Sequence, residues 1–111
     1  MKCVVLDLEF TDLVPDEDSD FETSDICIAC AATVLSDPGA SPMVWKPDSL
    51  EMSMTSELIE GLLNYLEAIT SMGYILVTWG GMSSDFRMLQ KVCPIADQRI
   101  ERLALQSVDI P

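Results

Sequence analysis

The chain has 111 residues, the length of one small domain, and its hydrophobic fraction of 49% with 23% charged residues is sufficient for a hydrophobic core. No apolar run is long enough to predict a membrane span, and the start MKCVVLDLEF lacks the pattern of a secretory signal, so we expect a cytoplasmic protein without a membrane partner. The absence of histidine excludes serine–histidine–aspartate and cysteine–histidine nucleophile systems and histidine-ligated zinc within these residues, and the net charge of −13 repels phosphate backbones.

The first part of the chain predicts three strands. Cys3–Phe10 is dense in aliphatic and β-branched residues, as in a strand buried on both faces. The acidic segment 11–25 follows and predicts a solvated loop. Residues 26–35 predict a second strand and residues 43–46 a short third strand, separated by a turn over residues 36–39. Strands joined by loops in this way indicate an antiparallel meander.

The middle of the chain predicts a helix. Apolar residues recur at spacings of three and four from Leu58 to Met72, Thr55 or Ser56 precedes them as an N-cap, and Gly73 follows them. The apolar residues are Leu58, Ile59, Leu62, Leu63, Leu66, Ile69 and Met72.

The last part of the chain predicts one more strand and two helices. Residues 74–79 form a short apolar strand, which we expect to pair in parallel because a helix precedes it. The turn over residues 80–82 leads into a helix that carries Phe86, Leu89 and Val92. Pro94 then breaks the chain before a second short helix over residues 95–107. The pattern predicts an α/β or α+β layout with a mixed sheet.

Four cysteines are interpreted as thiols in the core. Without a secretory signal, Cys3, Cys27, Cys30 and Cys93 do not predict a disulfide framework. Cys27 and Cys30 have the CxxC spacing, but residues three apart on a strand point to opposite faces. We therefore favour core packing over a shared metal or redox pair.

Asp7 and Glu9 are the first candidate site residues. They lie two apart on the first strand and so project from one face, while Leu6 and Leu8 occupy the other. Two like charges side by side are costly unless a cation neutralises them or one of them stays protonated. A divalent metal is the natural partner. The alternative is that both acids face water at an exposed strand end.

Asp85 is the third candidate. On its own it is an acid at a helix start, where it complements the helix dipole. It also follows the parallel strand, and ligands of α/β sheets collect beyond the carboxyl ends of strands. If that strand is a neighbour of the first strand, Asp7, Glu9 and Asp85 converge.

Two segments resemble the motifs of the DEDD superfamily of 3′-5′ exonucleases, which includes polymerase proofreading domains. VVLDLEF is similar to the first motif, a hydrophobic strand that ends in Asp-x-Glu, and TWGGMSSDFRML is similar to the second. The resemblance implies an RNase H-like α/β fold, in which a three-strand antiparallel meander on a mixed sheet is followed by a helix, a parallel strand and further helices.

The resemblance also implies an activity. Asp7, Glu9 and Asp85 would hold two Mg²⁺ or Mn²⁺ ions at the terminal phosphodiester of a single-stranded DNA or RNA 3′ end. In such a site one ion activates the attacking water and the other stabilises the leaving oxygen. Oxygen ligands suit both cations.

The chain departs from the family pattern in its second motif. The family usually carries Asn before the glycine and Phe before the acid, whereas here Gly80 precedes Gly81 and Phe86 follows Asp85.

The family also requires a later acid with a His or Tyr that orients the attacking water. The chain has no His, and neither Tyr65 nor Tyr74 has an Asp four residues later. Asp109 resembles an acid that often follows the second motif, and it is not taken as a ligand. Residues 1–111 are therefore expected to form a single, incomplete RNase H-like exonuclease domain without its last strand or the helices that cover the sheet.

Two alternatives remain open. Asp7, Glu9 and Thr11 loosely match the DxDxT motif of haloacid-dehalogenase-like phosphatases, with Thr78 as a second hydroxyl and Asp7 as nucleophile. The other alternative is a non-catalytic RNase H-like remnant or binding domain, which keeps the fold and binds a partner.

Overall fold

In the part of the chain that the structure describes, a five-stranded mixed sheet packs against three α-helices. A computed structural model describes residues 1–12, 25–49, 53–79 and 82–110, without the side chains of residues 82–84. The strands are β1 (Cys3–Phe10), β2 (Ile28–Leu35), β3 (Met43–Trp45), β4 (Ile75–Trp79) and β5 (Val108–Ile110). Their order across the sheet is β3, β2, β1, β4, β5, so β1 lies at the centre. The predicted α/β layout with a mixed sheet is confirmed.

The antiparallel meander of β1, β2 and β3 is also confirmed. β2 begins two residues later than predicted because the ladder is interrupted at its start. The register shifts between Glu9 and Phe10, and the Cys27 N–H donates to the Thr11 hydroxyl at 3.0 Å instead of to a backbone carbonyl. The predicted acidic loop lies mostly outside the described residues, since residues 13–24 are not described.

The predicted middle helix is confirmed as α1 (Ser56–Ser71). The Thr55 side chain caps it by accepting a hydrogen bond from the Leu58 N–H at 3.2 Å. Gly73 turns the chain out of the helix with a φ of 98°, a conformation that side chains with a Cβ rarely adopt. Met72 was expected on the apolar face of this helix. It lies after the helix end instead and is 69% exposed.

β4 pairs in parallel with β1, as the sequence predicted. One expectation is wrong: a further strand follows the helices. β5 pairs in parallel with β4 at the edge of the sheet, where the sequence predicted no strand. The segment was overlooked because a three-residue strand has too few residues to show an alternating pattern.

Two helices follow β4. α2 (Met82–Val92) leads to a 3₁₀ turn at Pro94–Ala96, and α3 (Asp97–Gln106) follows the turn. Proline is tolerated at the first position of such a turn because its missing N–H would have no partner there. The predicted helix over residues 95–107 therefore begins two residues later, after the turn.

All three helices pack on one side of the sheet. Leu63 of α1, Leu89 of α2 and Ile100 of α3 belong to one buried cluster with Val4 and Leu6 of β1. The strand positions between these residues point to the other side, which we call the open face. Along the five strands it is formed by Cys3, Val5, Asp7, Glu9, Cys30, Ala32, Val34, Val44, Ile75, Val77, Trp79, Val108 and Ile110.

The four cysteines are free thiols. Only Cys93 is buried, while Cys3, Cys27 and Cys30 are half-buried, so core packing describes Cys93 better than the other three. The Cys27 thiol donates to the Asp25 carbonyl at 3.5 Å. In the part of the chain that the structure describes, none of the helices has the length and apolar character needed to cross a membrane.

Candidate functional site

Asp7 and Glu9 lie on the open face near the carboxyl end of β1. Both side chains are exposed, while Leu6 and Leu8 between them are buried against the helices. The predicted division of the strand into an acidic and an apolar face is therefore confirmed. Exposure is also what the alternative of two solvated acids requires.

Asp85 lies at the same edge of the sheet. α2 begins at Met82, three residues after the end of β4, and Asp85 is in its first turn. Parallel strands have their carboxyl ends at one edge, so the start of α2 lies beyond the ends of β1 and β4. Only 8% of Asp85 is exposed, which makes it the one buried acid of the described residues.

The surroundings of Asp85 raise its pKa from 3.8 to about 7. Burial is the largest cause, because the charged form loses its hydration. Repulsion by Asp7, Asp109 and Glu9, in that order, adds to it. A helix N-terminus favours the charged form of an acid, so the dipole of α2 acts in the opposite direction and is outweighed. The structure thus brings Asp85 into the field of both acids of β1.

Asp109 is a fourth member of this group, which the sequence analysis did not select. It lies on β5 opposite Thr78 of β4, and the Thr78 hydroxyl donates to its Oδ1 at 2.7 Å. Its neighbours Val108 and Ile110 point to the open face, so Asp109 points to the helix side. The signal in the sequence is the alternation of Val108, Asp109 and Ile110, which places the acid opposite its apolar neighbours once the segment is recognised as a strand.

Thr78 does not have the environment that the phosphatase alternative requires. Its side chain is fully buried on the helix side, whereas Asp7 projects from the open face. The Thr78 hydroxyl donates its proton in the hydrogen bond to Asp109. A hydroxyl placed in this way does not face a phosphate held at Asp7.

The acids have the donor chemistry of a magnesium or manganese site, since carboxylate oxygens are what hard divalent cations prefer. Among residues 1–12, 25–49, 53–79 and 82–110, however, no group of three or more acidic or cysteine side chains is close enough together to hold an ion. Asp7 and Glu9 project from one face of the sheet and Asp109 from the other, with Asp85 at the edge. A cation would have to draw Asp7 and Glu9 towards Asp85.

A separate groove lies between the C-terminal half of α1 and α3. It has a volume of about 220 Å³, and Arg99 and Arg102 contribute its positive charge. Arg99 donates to Glu67 at 2.6 and 3.1 Å and to Asn64 at 2.7 Å, and this pairing lowers the pKa of Glu67. The groove shares none of its lining with the four carboxylates.

The chain was compared with models of known protein families, with curated proteins and with solved structures, and none of them matched it.

Proposed function

We propose that the chain is an RNase H-like domain of the 3′-5′ exonuclease type, in which Asp7, Glu9 and Asp85 bind Mg²⁺ or Mn²⁺ at the 3′ end of single-stranded DNA or RNA. The observation that carries the proposal is the position of Asp85. A carboxyl group buried at the sheet edge and raised in pKa by Asp7 and Glu9 is an arrangement that a cation would relieve.

The order of elements supports the same proposal. An antiparallel meander, a helix, a parallel strand and further helices are what the resemblance implies, and this order is observed. Asp7 and Glu9 on β1 and Asp85 at the start of α2 lie at the same carboxyl edge of the sheet. Such edges are where α/β sheets bind ligands.

The side chains would have distinct tasks. Bound divalent ions would supply an activated water and stabilise charge at the leaving oxygen. Asp7 and Glu9 are exposed, so they can turn towards a ligand with little loss of packing. Asp85 is held by the helix, and with a pKa of about 7 it is partly protonated at neutral pH. Cation binding would therefore release a proton from Asp85.

The third motif of the family is not among these 111 residues. The chain has no histidine, and neither Tyr65 nor Tyr74 has an Asp four residues later. Metal binding by the two motifs is therefore the part of the proposal that the chain itself can test, and hydrolysis is tested separately.

Metal binding is tested by titrating Tb³⁺ and Mn²⁺. Trp79 is 71% exposed on β4, the strand beside Asp7, and can sensitise the luminescence of bound Tb³⁺. We expect a saturable signal that Mn²⁺ displaces and that Asp85→Asn weakens at least about tenfold. Asp97→Asn is the matched control, because Asp97 is an exposed acid in the first turn of α3 and its loss removes the same charge. Equal affinities for both variants contradict the proposed site.

Hydrolysis is tested with 5′-labelled single-stranded DNA and RNA in Mn²⁺, because a label at the 5′ end stays on the shortened products. The 111-residue chain is compared with its Asp7→Ala variant. Shortening from the 3′ end that Asp7→Ala abolishes supports the exonuclease proposal. Activity that Asp7→Ala leaves unchanged removes it. Metal binding without hydrolysis favours the non-catalytic alternative.

A further inference from the structure

The open face carries two rows of side chains that run across the sheet. In the first row, which we call the valine row, Val34, Val5, Val77 and Val108 lie side by side on β2, β1, β4 and β5. The second row contains Val44, Ala32 and Asp7 on β3, β2 and β1, followed by Trp79 and Ile110 on β4 and β5.

Trp79, Val108 and Ile110 are exposed although they adjoin one another on β4 and β5, whereas Val44 is exposed at the opposite edge of the sheet and Val77 is buried, with 7% exposed. The exposed fraction is 71% for Trp79, 58% for Val44, 49% for Val108 and 38% for Ile110. Single exposed apolar residues are normal on a protein surface, whereas contiguous ones mark contact surfaces. The three helices cover the opposite side, and none of their buried residues belongs to a cluster with the valine row.

The dimensions of the face suit one helix. Four neighbouring strands span about 14 Å, and rows two residues apart along a strand are separated by about 7 Å. An α-helix is about 10 Å wide with its side chains and presents one apolar stripe. A single helix can therefore cover the valine row and reach the second row with its flank.

The charge of the face selects its partner. Among the residues that form the open face, Asp7 and Glu9 are the charged ones, and both are acidic. A second copy of the chain would bring another net charge of −13 and would be repelled. A partner with Lys or Arg beside its apolar stripe would instead meet opposite charge at Asp7 and Glu9.

We propose that the open face docks a basic amphipathic helix of a partner protein, whose apolar stripe covers the valine row and whose Lys or Arg side chains lie beside Asp7 and Glu9. This inference requires neither a metal ion nor hydrolysis, but it shares Asp7 and Glu9 with the proposed metal site, so a docked helix and a metal-bound 3′ end would compete for these two acids.

The proposal is tested with three synthetic helical peptides of about 18 residues, which is about five turns. The first has a Leu and Ile stripe flanked by Lys, the second has the same composition in scrambled order, and the third has Glu in place of Lys. Binding is followed by NMR on the 111-residue chain through the methyl groups of Val5, Val77 and Val108. We expect the first peptide to shift these methyl groups in a saturable way and the other two to bind at least about tenfold more weakly.

Two variants locate the contact. Val108→Lys places a charge on an exposed position of the valine row. We expect it to weaken the binding of the first peptide at least about tenfold. Leu105→Lys is the control, because Leu105 is 80% exposed on α3 and takes the same substitution away from the face. It should retain the affinity within about twofold. Circular dichroism establishes that both variants are folded, and Ile110→Lys, at an exposed position of the open face beside Val108, replaces Val108→Lys if that variant is not.

Three outcomes overturn the proposal. Equal binding of the patterned and scrambled peptides shows that no helical stripe is recognised. Equal weakening by Val108→Lys and Leu105→Lys shows that the face is not the contact. Shifts of the same methyl groups on dilution of the chain alone, or with single-stranded oligothymidylate but not with the peptide, assign the face to a second copy or to nucleic acid.

Discussion

The hydroxyl of Thr78 donates a 2.7 Å hydrogen bond to Asp109, and this bond joins β4 to β5 on the side of the sheet that the helices cover. Thr33 is its counterpart in β2. Both threonines lie beside Leu6 of β1, one on each side, and both are buried. The Thr33 hydroxyl differs because it has no hydrogen-bond partner in the described part of the chain.

Replacement of each threonine by valine should therefore have different effects. Thr78→Val removes the hydrogen bond from the Thr78 hydroxyl to Asp109, and we expect the free energy of unfolding to fall by about 1 to 3 kcal/mol. Thr33→Val removes a buried hydroxyl that forms no bond, and we expect a change close to zero or a gain in stability. Urea unfolding followed by circular dichroism measures both. Equal losses in the two variants would mean that the Thr78 bond contributes nothing beyond the loss of a hydroxyl.

The stability of the metal-free protein should fall as the pH rises from about 4 to about 7. The folded state raises the pKa of Asp85 from 3.8 to about 7, so in this range the folded state binds more protons than the unfolded state. The stabilisation that comes from protonated Asp85 is fully present below its pKa in the unfolded state, 3.8. It is lost as the pH rises through its pKa in the folded state, about 7. The largest possible contribution is about 4 kcal/mol at 1.36 kcal/mol per pH unit.

Asp85→Asn isolates this contribution. We expect the variant to match the parent protein near pH 4 and to exceed its free energy of unfolding by a few kcal/mol above pH 8. Asp97→Asn, which removes an exposed acid, should follow the parent within about 0.5 kcal/mol at each pH. A pH profile of Asp85→Asn that runs parallel to that of the parent would show that Asp85 titrates normally.

Divalent cations should reverse the loss of stability at high pH. A ligand that binds only the folded state stabilises it by about 2.7 kcal/mol at a hundredfold excess over its Kd. We therefore expect Mn²⁺ to raise the Tm at pH 8 more than at pH 5, where Asp85 holds its proton. Asp85→Asn should lose most of this shift. An equal rise in Tm at both pH values, or in the variant, would point to nonspecific binding by the acidic chain.

Two glycines should respond in opposite ways to substitution by alanine. Gly73 has a φ of 98°, so alanine is strained there although the space around it is empty, and we expect a loss of about 1 kcal/mol. Gly61 lies within α1, where an added Cβ would meet only Trp45 at 3.7 Å, an ordinary contact. Alanine should stabilise this position by up to about 1 kcal/mol. Thermal unfolding of both variants checks the pair, and a loss at Gly61 would mean that Trp45 has no room to adjust.

The sequence predicted the elements that have a strong period or a clear end. The apolar run of β1, the capped repeat of α1 and the turn before β3 are local patterns, and each appears where it was expected. β5 was missed because its three residues depend on pairing with β4, which no local pattern reveals. β2 begins later than the sequence predicted because the Cys27 N–H donates to the Thr11 side chain and not to a backbone carbonyl.

The candidate site was predicted in its composition and only partly in its geometry. The spacing of Asp7 and Glu9 fixes their common face, and the glycine turn after β4 indicated that a helix would bring Asp85 to the same edge. The burial of Asp85 and the contribution of Asp109 depend on how α2 and β5 pack, which arises from contacts distant in sequence.

The central position of β1 determines the order in which the fold can form. β1 leaves the ribosome before the other four described strands, and its parallel neighbour β4 ends at Trp79, about seventy residues after the end of β1. The hairpin of β1 and β2 can form early from nearby residues, whereas the contact between β1 and β4 must close a loop of some seventy residues first. During synthesis one edge of β1 therefore has no partner until α1 and β4 have been made.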